Sequence, residues 1–242
     1  MPDIALVTGS SRGLGLEIAR ALGEAGMAVA VHARIQSDAD ASARLLCDEG
    51  LVAAGFAADL AAGTAACSGL VADVSASLGP VRSLVNNAAD QSPTPMGEDQ
   101  AAAWRKVLEV NLVAAVELTR LVHAAGASSV VNVASIEAHS PLAGHGAYAA
   151  SKAALLSFTR TAAAELAPLR VNAVLPGLID RPGLAESWPS GHAWWTRTAP
   201  LGRPVTAREV AAGVAFLVSP SASGITGATL AIDAGWSASG HQ

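Results

Sequence analysis

The first apolar segment of the chain ends in the glycine-rich sequence Thr8-Gly9-Ser10-Ser11-Arg12-Gly13-Leu14-Gly15. The segment before it, 3–8, has the pattern of a strand, and the segment after it, 13–25, has the pattern of a helix. Glycines at this junction permit a tight turn, a close approach of backbone to phosphate, and close packing of helix on strand. The helix N-terminus would direct free N–H groups and the positive end of its dipole at that phosphate. The sequence therefore predicts a dinucleotide-binding turn.

Short apolar segments alternate with longer helical ones along the rest of the chain. The segment 129–133, Ser-Val-Val-Asn-Val, is almost continuously apolar, as strands are when a parallel sheet is buried on both faces. Alternation of strand and helix indicates an α/β fold. We predict a Rossmann-like, doubly wound parallel sheet of about seven strands with helices on both faces. The predicted strands lie at 3–8, 27–33, 51–57, 81–86, 128–134, 169–175 and 228–233, and the predicted helices at 13–25, 37–49, 63–78, 99–124, 146–166 and 206–218.

One segment does not follow this alternation. Residues 177–205 are rich in Pro, Gly and Trp, and they are too many for an ordinary connection. We expect an irregular lid or binding loop there. No linker or shift in composition divides the chain, so we predict one domain over 1–242.

The composition argues against several classes of protein. Of the 242 residues, 51% are hydrophobic and 14% are charged, which allows a large core. No apolar run approaches the ~18 residues that span a bilayer, and no signal-peptide pattern is present, so we expect no membrane partner. A net charge of −5 without a basic run argues against nucleic acid. Cys47 and Cys67 have neither metal-ligand spacing nor a disulfide framework, so we expect free thiols, no bound metal and a cytoplasmic location.

A second motif, Tyr-Ala-Ala-Ser-Lys, places Tyr148 and Lys152 four residues apart in a predicted helix. Four residues make about one turn, so both side chains lie on one face. A lysine ammonium beside a phenol favours the phenolate and lowers the tyrosine pKa from its reference value of roughly 10. The spacing suits a tyrosine that acts as a general acid or base, although most such pairs on helices have no chemical role.

Taken together, the two motifs resemble those of the short-chain dehydrogenases/reductases. The glycine spacing G-x-x-x-G-x-G differs from the usual dinucleotide fingerprint and occurs here with Tyr-x-x-x-Lys. The resemblance runs nearly from end to end, through motifs in a fixed order. The further motifs are Asp59-Leu60, Asn86-Asn87-Ala88, Asn111, Ser135 and Pro176-Gly177. Most of them follow predicted strands, where open α/β sheets bind their ligands.

The resemblance implies a catalytic tetrad of Asn111, Ser135, Tyr148 and Lys152. Tyr148 would exchange a proton with a carbonyl oxygen of the substrate, and Ser135 would hydrogen-bond the same oxygen. Lys152 would shift the tyrosine pKa and reach the ribose, while Asn111 would hold a water that connects Lys152 to solvent. Without the resemblance, Asn111 is an ordinary polar residue of a helix and Ser135 is a cap at a strand end.

The resemblance also implies a nicotinamide cofactor that supplies the hydride chemistry. Asp59 would meet the adenine with Leu60 beside it, and Asn87 and Ala88 would line the ribose side. The remaining implied contacts are Gly9, Ser11, Arg12, Gly13, Leu14 and Gly15 in the turn, Tyr148 and Lys152 in the helix, and Pro176, Gly177 and Ile179 behind the nicotinamide.

Charge at the end of the second strand indicates which nicotinamide is used. NAD-preferring members of the family often carry an acid there, and that position aligns with Ala33, which Arg34 follows. Arg12 in the glycine turn adds a second guanidinium, and two arginines suit a 2′-phosphate. We predict NADP(H) in preference to NAD(H). The alternative is that Arg34 only faces solvent at a strand end.

The substrate is expected between the loop 136–145 and the segment 177–205. The loop contains Ile136, Glu137, His139, Leu142 and His145, and the segment contains Trp188, Trp194 and Trp195. An aromatic cluster in a lid indicates a bulky apolar or aromatic ketone, or else it packs the lid onto its neighbours or onto another subunit. Glu137 either faces the substrate, where it could meet a hydroxyl or amine, or faces solvent.

Three positions depart from the pattern of the family. Ala89 stands where the family has glycine, and Asp180-Arg181 stands in the region where it often has a threonine that contacts the cofactor. Asp233-Ala234-Gly235 replaces a common Gly-Gly ending, a change that we expect to be neutral.

These observations predict an NADP(H)-dependent oxidoreductase that reduces a ketone to a secondary alcohol, or catalyses the reverse. One alternative is a 3-oxoacyl-[acyl-carrier-protein] reductase, which would need a basic docking patch; another is an imine or polyketide-ketone reductase. An alternative of another class is a catalytically silent nucleotide-sensing protein, which the presence of Tyr148 and Lys152 disfavours. The alanine-rich helices 99–124 and 146–166 suit close packing, so we expect a homotetramer or homodimer.

Overall fold

A seven-stranded parallel sheet forms the centre of the computed structural model, which describes residues 2–97 and 100–239. The strands lie in the order β3-β2-β1-β4-β5-β6-β7, and every neighbouring pair is parallel. They are β1 Ile4–Val7, β2 Ala28–Ala33, β3 Ala53–Ala57, β4 Val81–Asn86, β5 Ser129–Val133, β6 Arg170–Pro176 and β7 Thr229–Ile232. All seven predicted strands are confirmed, and so is the Rossmann-like class.

Helices connect the strands and cover both faces of the sheet. They are α1 Gly13–Glu24, α2 Gln36–Asp48, α3 Thr64–Ser77, α4 Ala101–Leu108, α5 Ala114–Ala124, α6 Gly146–Glu165, α7 Leu184–Ser187, α8 Pro189–Thr198 and α9 Ala207–Val218. Short 3₁₀ turns lie at Leu60–Ala62, Ile136–Ala138, Pro220–Ala222 and Trp236–Ala238. The predicted helices are confirmed, except that residue 99, the predicted start of one helix, lies outside the described residues.

Side chains of each central strand alternate between two cores. In β1, Ala5 and Val7 pack in the cluster that contains residues of α1 and α9. Ile4 and Leu6 of the same strand pack in the cluster on the other face, with residues of α3 and α5. Because both faces are covered, nearly every position of these strands is apolar, which explains the continuous pattern in the sequence.

The direction of winding reverses between β1 and β4. From β1, the chain adds β2 and β3 on one side, and β4 to β7 follow on the other. In open α/β sheets, a crevice forms at the carboxyl ends of the strands at such a reversal. This topology brings together the segments that follow β1, β4, β5 and β6.

The segment 177–205 is more regular than the sequence analysis expected. It contains α7 and α8, so the expectation of an irregular lid was wrong in this respect. Pro189 is the first residue of α8, where proline starts a helix because no intrahelical N–H is needed. Gly191 lies against the ring of Trp188, since a Cβ there would stand 1.8 Å from Trp188 Cε2. Proline and glycine, which suggested a loop, are here residues of a helix.

The predicted helix 99–124 is interrupted by a π turn at Glu109–Val113 between α4 and α5. Asn111 is the buried residue of this turn, with 2% of its surface exposed. Such widened turns are rare inside helices and are frequent at functional sites.

Three further features bear on the class of protein. No helix in the part of the chain that the structure describes is long and apolar enough to cross a membrane. Across residues 2–97 and 100–239, no group of three or more His, Cys, Asp or Glu could hold a metal ion. Cys47 and Cys67 are both unpaired, and burial raises the pKa of the Cys67 thiol to about 11.

Candidate active site

A cavity of about 460 Å³ opens beside the reversal of the sheet. Its walls come from the segments that follow β1, β4, β5 and β6, from α6, and from the region of α7 and α8. Of the residues proposed from the sequence, the following line it: Gly13, Leu14, Asn87, Ser135, Glu137, Tyr148, Lys152, Pro176, Gly177, Ile179, Trp188, Trp194 and Trp195. Ten do not contribute to its lining: Gly9, Ser11, Arg12, Gly15, Arg34, Asp59, Leu60, Ala88, Asn111 and His145.

Hydrogen bonds between side chains and backbone fasten the glycine turn to the end of β4. The Thr8 hydroxyl accepts from the N–H groups of Asn87 at 2.9 Å and Ala88 at 3.0 Å. Asn87 Nδ2 donates to the carbonyls of Thr8 at 2.9 Å and Gly9 at 3.0 Å. The side-chain amide of Asn87 therefore supports the turn itself, in addition to facing the cavity.

Position 15 requires glycine because neighbouring atoms occupy the space where a Cβ would stand. A Cβ on Gly15 would stand 2.2 Å from the Gly9 carbonyl oxygen and 2.6 Å from Asn87 Nδ2. Gly9 has a φ of +62°, and its Cβ would stand 2.9 Å from Ala88 Cα. Gly13 differs, since no atom lies within 4 Å of the place where its Cβ would stand and the residue lines the cavity. The start of α1 is thus open to a ligand.

His32 is a further part of this region that the sequence analysis did not assign. It is buried in β2, where its Nδ1 accepts from the Gly9 N–H at 3.0 Å and its Nε2 lies 3.0 Å from the Ala58 carbonyl. The second contact needs a proton on Nε2, which leaves Nδ1 as the acceptor. Burial lowers the pKa of His32, so the neutral ring that this bonding needs is favoured. The feature of the sequence that could have identified His32 is a histidine within an otherwise apolar strand.

The residues proposed for the adenosine side lie along the same edge of the sheet. Arg12 is the N-cap residue of α1 and Arg34 follows β2; both are exposed, and the guanidinium of neither forms a hydrogen bond or ion pair with the described residues. The Ser11 carbonyl accepts from Ser42 Oγ at 2.8 Å. Asp59 is exposed and accepts from the Ala61 N–H at 3.0 Å, whereas Leu60 is buried.

Tyr148 is buried on the first turns of α6 and faces the cavity. Burial raises the pKa of its phenol, and the charge of Glu137 adds to this, while hydrogen bonds with Ser135 and Gln91 oppose it. Gln91 Nε2 donates to the Tyr148 hydroxyl at 3.3 Å. Gln91 lies after β4 without a motif of its own, and the sequence analysis missed it.

Lys152 lies one turn further along α6 and is buried. Its Nζ donates to the Val133 carbonyl at 2.7 Å and lies 5.6 Å from the centroid of the Tyr148 ring. Burial lowers the pKa of Lys152 to about 8. The expectation that this lysine would lower the tyrosine pKa is not met, because the ammonium lies over the ring and burial of the phenol is the larger effect.

Ser135 caps the 3₁₀ turn after β5, and its Oγ accepts from the Glu137 N–H at 3.2 Å. The same hydroxyl also hydrogen-bonds Tyr148, so Ser135 links the 3₁₀ turn to the phenol. Ser135 is thus a cap, as one interpretation expected, and it also lines the cavity.

The side-chain amide of Asn111 forms hydrogen bonds with neighbouring residues through both its nitrogen and its oxygen. Its Nδ2 donates to the Asp90 carbonyl and to Ser151 Oγ, both at 3.0 Å, and its Oδ1 accepts from the Asp90 N–H at 2.7 Å. These bonds use both side-chain N–H groups and join the segment that carries Gln91 to α6.

Glu137 and His145 form a pair beside Tyr148. His145 Nδ1 lies 3.0 Å from Glu137 Oε2, and the His145 ring meets the Tyr148 ring edge-on at 6.3 Å. Glu137 lines the cavity with only 14% of its side chain exposed, so the alternative of a solvent-facing glutamate is not observed. His145 does not line the cavity, which corrects its assignment as a residue of the cavity wall.

The tryptophans pack against one another and also line the cavity. Trp195 is buried and stacks on Trp236 with ring centroids 5.3 Å apart, and Trp194 meets each of them edge-on. Trp188 is 41% exposed, and all four rings line the cavity. Trp236 was missed because it lies far along the chain from the other three.

The segment after β6 approaches these rings closely. A Cβ on Gly177 would stand 2.7 Å from Trp195 Cζ2 and 2.8 Å from Asp233 Cα. Asp180 and Arg181, which replace the usual threonine region, are exposed and line the cavity, and so does Ala89. Ala234 has a φ of +58°, a strained conformation for a residue other than glycine, so its replacement of glycine is not neutral for the backbone.

Comparison with known proteins agrees with the fold. A family model described as enoyl-(acyl carrier protein) reductase matches residues 9–237. A cis-4-hydroxycyclohexanecarboxylate dehydrogenase of Sinomonas cyclohexanicum is 36% identical over 242 residues, covering 97% of this chain and 96% of that protein.

Solved structures give the same result. A gluconate 5-dehydrogenase from Burkholderia cenocepacia, in complex with NADP and tartrate, superposes with a TM-score of 0.90 at 29% identity, covering 98% of this chain and 95% of that one. A variant of actinorhodin polyketide ketoreductase with NADPH gives 0.89 at 33% identity, covering 97% of each chain. The chain belongs to the short-chain dehydrogenases/reductases and is an oxidoreductase that acts on a CH–OH group or the corresponding carbonyl.

Proposed function

We propose that the chain reduces a ketone to a secondary alcohol with NADP(H), or catalyses the reverse, and that Tyr148 is the general acid and base. The observation that carries the proposal is the convergence of Ser135, Tyr148 and Lys152 on one cavity that also reaches Gly13. A hydroxyl donor, a phenol and a lysine thus lie beside the open start of a helix. This combination suits proton transfer next to a bound dinucleotide.

The glycine turn and its surroundings fit a dinucleotide phosphate. Gly13 leaves open space at the start of α1, where free N–H groups and the helix dipole favour an anion. Arg12 and Arg34 are exposed and available for the 2′-phosphate of NADP(H). The two solved relatives described above contain NADP or NADPH, which supports the same choice. When bound, the nicotinamide supplies or accepts the hydride.

The buried phenol is suited to donate a proton. Burial raises the pKa of Tyr148, so the hydroxyl keeps its proton at neutral pH and can give it to the carbonyl oxygen as the carbonyl carbon gains hydride. Ser135 can hydrogen-bond the same oxygen while negative charge develops there. Lys152, whose pKa burial lowers to about 8, would reach the ribose of the bound cofactor. Asn111 positions the segment that carries Gln91.

The cavity favours a bulky or aromatic ketone. Trp188, Trp194 and Leu142 provide apolar wall, and aromatic rings bury large apolar groups well. A 3-oxoacyl-[acyl-carrier-protein] substrate is less well supported. Of the three arginines near the lid, Arg203 is paired with Glu209 at 2.6 Å, which leaves Arg181 and Arg197 without a clear basic patch.

Oxidation of NADPH across a panel of ketones tests this proposal. The panel runs from small aliphatic to bicyclic aromatic ketones and includes one β-ketoacyl thioester. Tyr148→Phe should lower kcat by about 10³-fold, because general acid catalysis contributes roughly 10²- to 10⁴-fold, while NADPH affinity stays nearly unchanged. Near-wild-type turnover in this variant would contradict the proton-transfer role, and turnover of the thioester alone would favour the acyl-carrier alternative.

We also propose that the enzyme assembles as a homotetramer in the cytoplasm. Strand β7 is an edge strand whose residues Thr229, Leu230 and Ala231 are exposed, and Phe216 of α9 is 44% exposed. An exposed edge strand can pair with a second chain, and the apolar side chains beside it would then be buried. Two unpaired cysteines suit a reducing compartment. Sedimentation velocity measures the assembly directly.

A further inference from the structure

We propose that Glu137 selects the substrate: its carboxylate accepts a hydrogen bond from a hydroxyl or ammonium group on a carbon next to the reacting carbonyl. This inference rests on the proposed ketone reduction and narrows its substrate class. The predicted substrates are α-hydroxy ketones or α-amino ketones, which share a hydrogen-bond donor beside the carbonyl.

The backbone places Glu137 close to the proposed position of the carbonyl oxygen. The Glu137 N–H donates to Ser135 Oγ at 3.2 Å, so residue 137 lies directly against the hydroxyl that would hold this oxygen. Glu137 and Tyr148 line the same cavity, and the charge of Glu137 acts on the phenol. A substrate group bound by this carboxylate would then be attached close to the carbonyl.

The carboxylate of Glu137 has unused acceptor capacity. Within the described residues its one partner is His145 Nδ1, at 3.0 Å from Oε2 and 3.3 Å from Oε1. A carboxylate can accept about four hydrogen bonds, so most of its lone pairs remain open. Neither cation of the cavity pairs with it: Lys152 donates to the Val133 carbonyl, and Arg181 forms no ion pair among the residues described.

Binding of a substrate makes it costly to leave the acceptor sites of the Glu137 carboxylate unused. A ligand that fills the cavity removes water from a side chain that is only 14% exposed. In a closed site the carboxylate would keep His145 as its single partner and lose its remaining contacts with water, which is unfavourable. A ligand that brings a further donor is therefore preferred over one of the same shape that lacks it. The rest of the ligand would contact Leu142, Trp188 and Trp194.

Four matched ketones test the inference: 1-indanone and its 2-methyl, 2-hydroxy and 2-amino derivatives, each measured as kcat/KM with NADPH. The wild type should prefer the 2-hydroxy or 2-amino compound over the 2-methyl compound by at least about 10-fold. Glu137→Leu should bring this ratio close to one while the 2-methyl compound is still reduced. Glu137→Gln keeps an acceptor oxygen without the charge, so it should retain part of a preference for the hydroxyl and lose a preference for the ammonium.

Glu186→Gln is the matched control, because Glu186 is an exposed acid of α7 that does not line the cavity. Its ratios should equal those of the wild type, and thermal unfolding shows whether each variant is folded. A preference that survives in Glu137→Leu overturns the inference, and so does a wild type that reduces all four ketones equally well. The proposed reduction of ketones stands in both cases. A wild type that reduces no ketone of the set or of the wider panel contradicts the proposed function, and the inference falls with it.

Discussion

The two ends of the cavity are built from different kinds of interaction. At the glycine turn, Asn87 and Thr8 exchange four hydrogen bonds of 2.9 to 3.0 Å with the backbone of the turn and of the segment after β4. At the lid, Trp195 stacks on Trp236 at 5.3 Å, and Trp194 packs edge-on against both rings. The first end is held by directional bonds to backbone atoms, and the second by the packing of large side chains.

This difference decides which end can be recognised in a sequence. A hydrogen bond to backbone needs one particular side chain at one place, and a close backbone approach needs glycine, so the glycine-turn end has a motif. Packing needs only rings of suitable size, which can come from any part of the chain. The same contrast predicts that substitutions at the two ends will damage different properties.

The largest effect is expected from Trp195→Ala, which should lower the free energy of unfolding by about 4 kcal/mol because it removes a buried ring and leaves a cavity. Denaturant unfolding measures this loss. Trp188→Ala is the control, since Trp188 is 41% exposed and should contribute much less. Equal losses for the two variants would mean that the stacked rings do not hold the lid.

Gly15→Ala should distort the glycine turn and weaken the binding of NADPH. The new methyl group would stand 2.2 Å from the Gly9 carbonyl oxygen, so the turn must move and NADPH affinity should fall by about 100-fold. Titration of NADPH measures this change. Gly69→Ala is the control, because Gly69 is also helical and has no atom within 4 Å of its would-be Cβ. An unchanged affinity in Gly15→Ala would show that the turn tolerates displacement.

Lys152 lines the same cavity, and its burial predicts a pH dependence of stability. Its pKa falls from 10.5 to about 8 on folding, so between these values the unfolded chain binds more protons than the folded one. Stability should therefore rise with pH from about 8 towards 10, and this contribution is lost as pH falls through about 8. The expected gain between pH 7 and 10 is on the order of 2 kcal/mol.

The check on Lys152 is the difference in unfolding free energy between the wild type and Lys152→Met, measured across this range. Measurements stop at pH 10 because burial also raises the pKa of Tyr148, which then affects stability at higher pH. A difference that does not change with pH would show that Lys152 is not desolvated as the structure indicates.

The smallest effect, on the choice between NADPH and NADH, is expected at the rim of the glycine-turn end. Arg34→Asp removes a cation from the end of β2 and adds an anion, so the preference for NADPH over NADH should fall by about 10-fold or more. Arg44→Asp makes the same change of charge at an exposed site on α2 and serves as the control. The ratio of kcat/KM for the two cofactors is measured, and an unchanged ratio in Arg34→Asp would mean that the phosphate site is elsewhere.

Local patterns were enough to predict the elements of this fold and the positions of its motifs. Continuous apolar segments indicated strands buried on both faces, and the glycine turn and Tyr148 with Lys152 indicated where a ligand and a proton donor would lie. These predictions depend on residues that are close in sequence, or on the common edge at which parallel strands end. At α8 the proline and glycine residues led to the wrong prediction of a loop. A proline at the start of a helix and a glycine packed against a tryptophan ring do not interrupt the helix.

Tertiary structure decided how the groups of the site act on one another. The pKa of Tyr148 depends on its burial more than on Lys152, and the amide of Asn111 is used by Asp90 and Ser151. Contacts of Gln91 with Tyr148, and of Trp195 with Trp236, join residues that are 57 and 41 positions apart. Burial and such long-range contacts arise only when distant segments pack together, so no local pattern in the sequence records them.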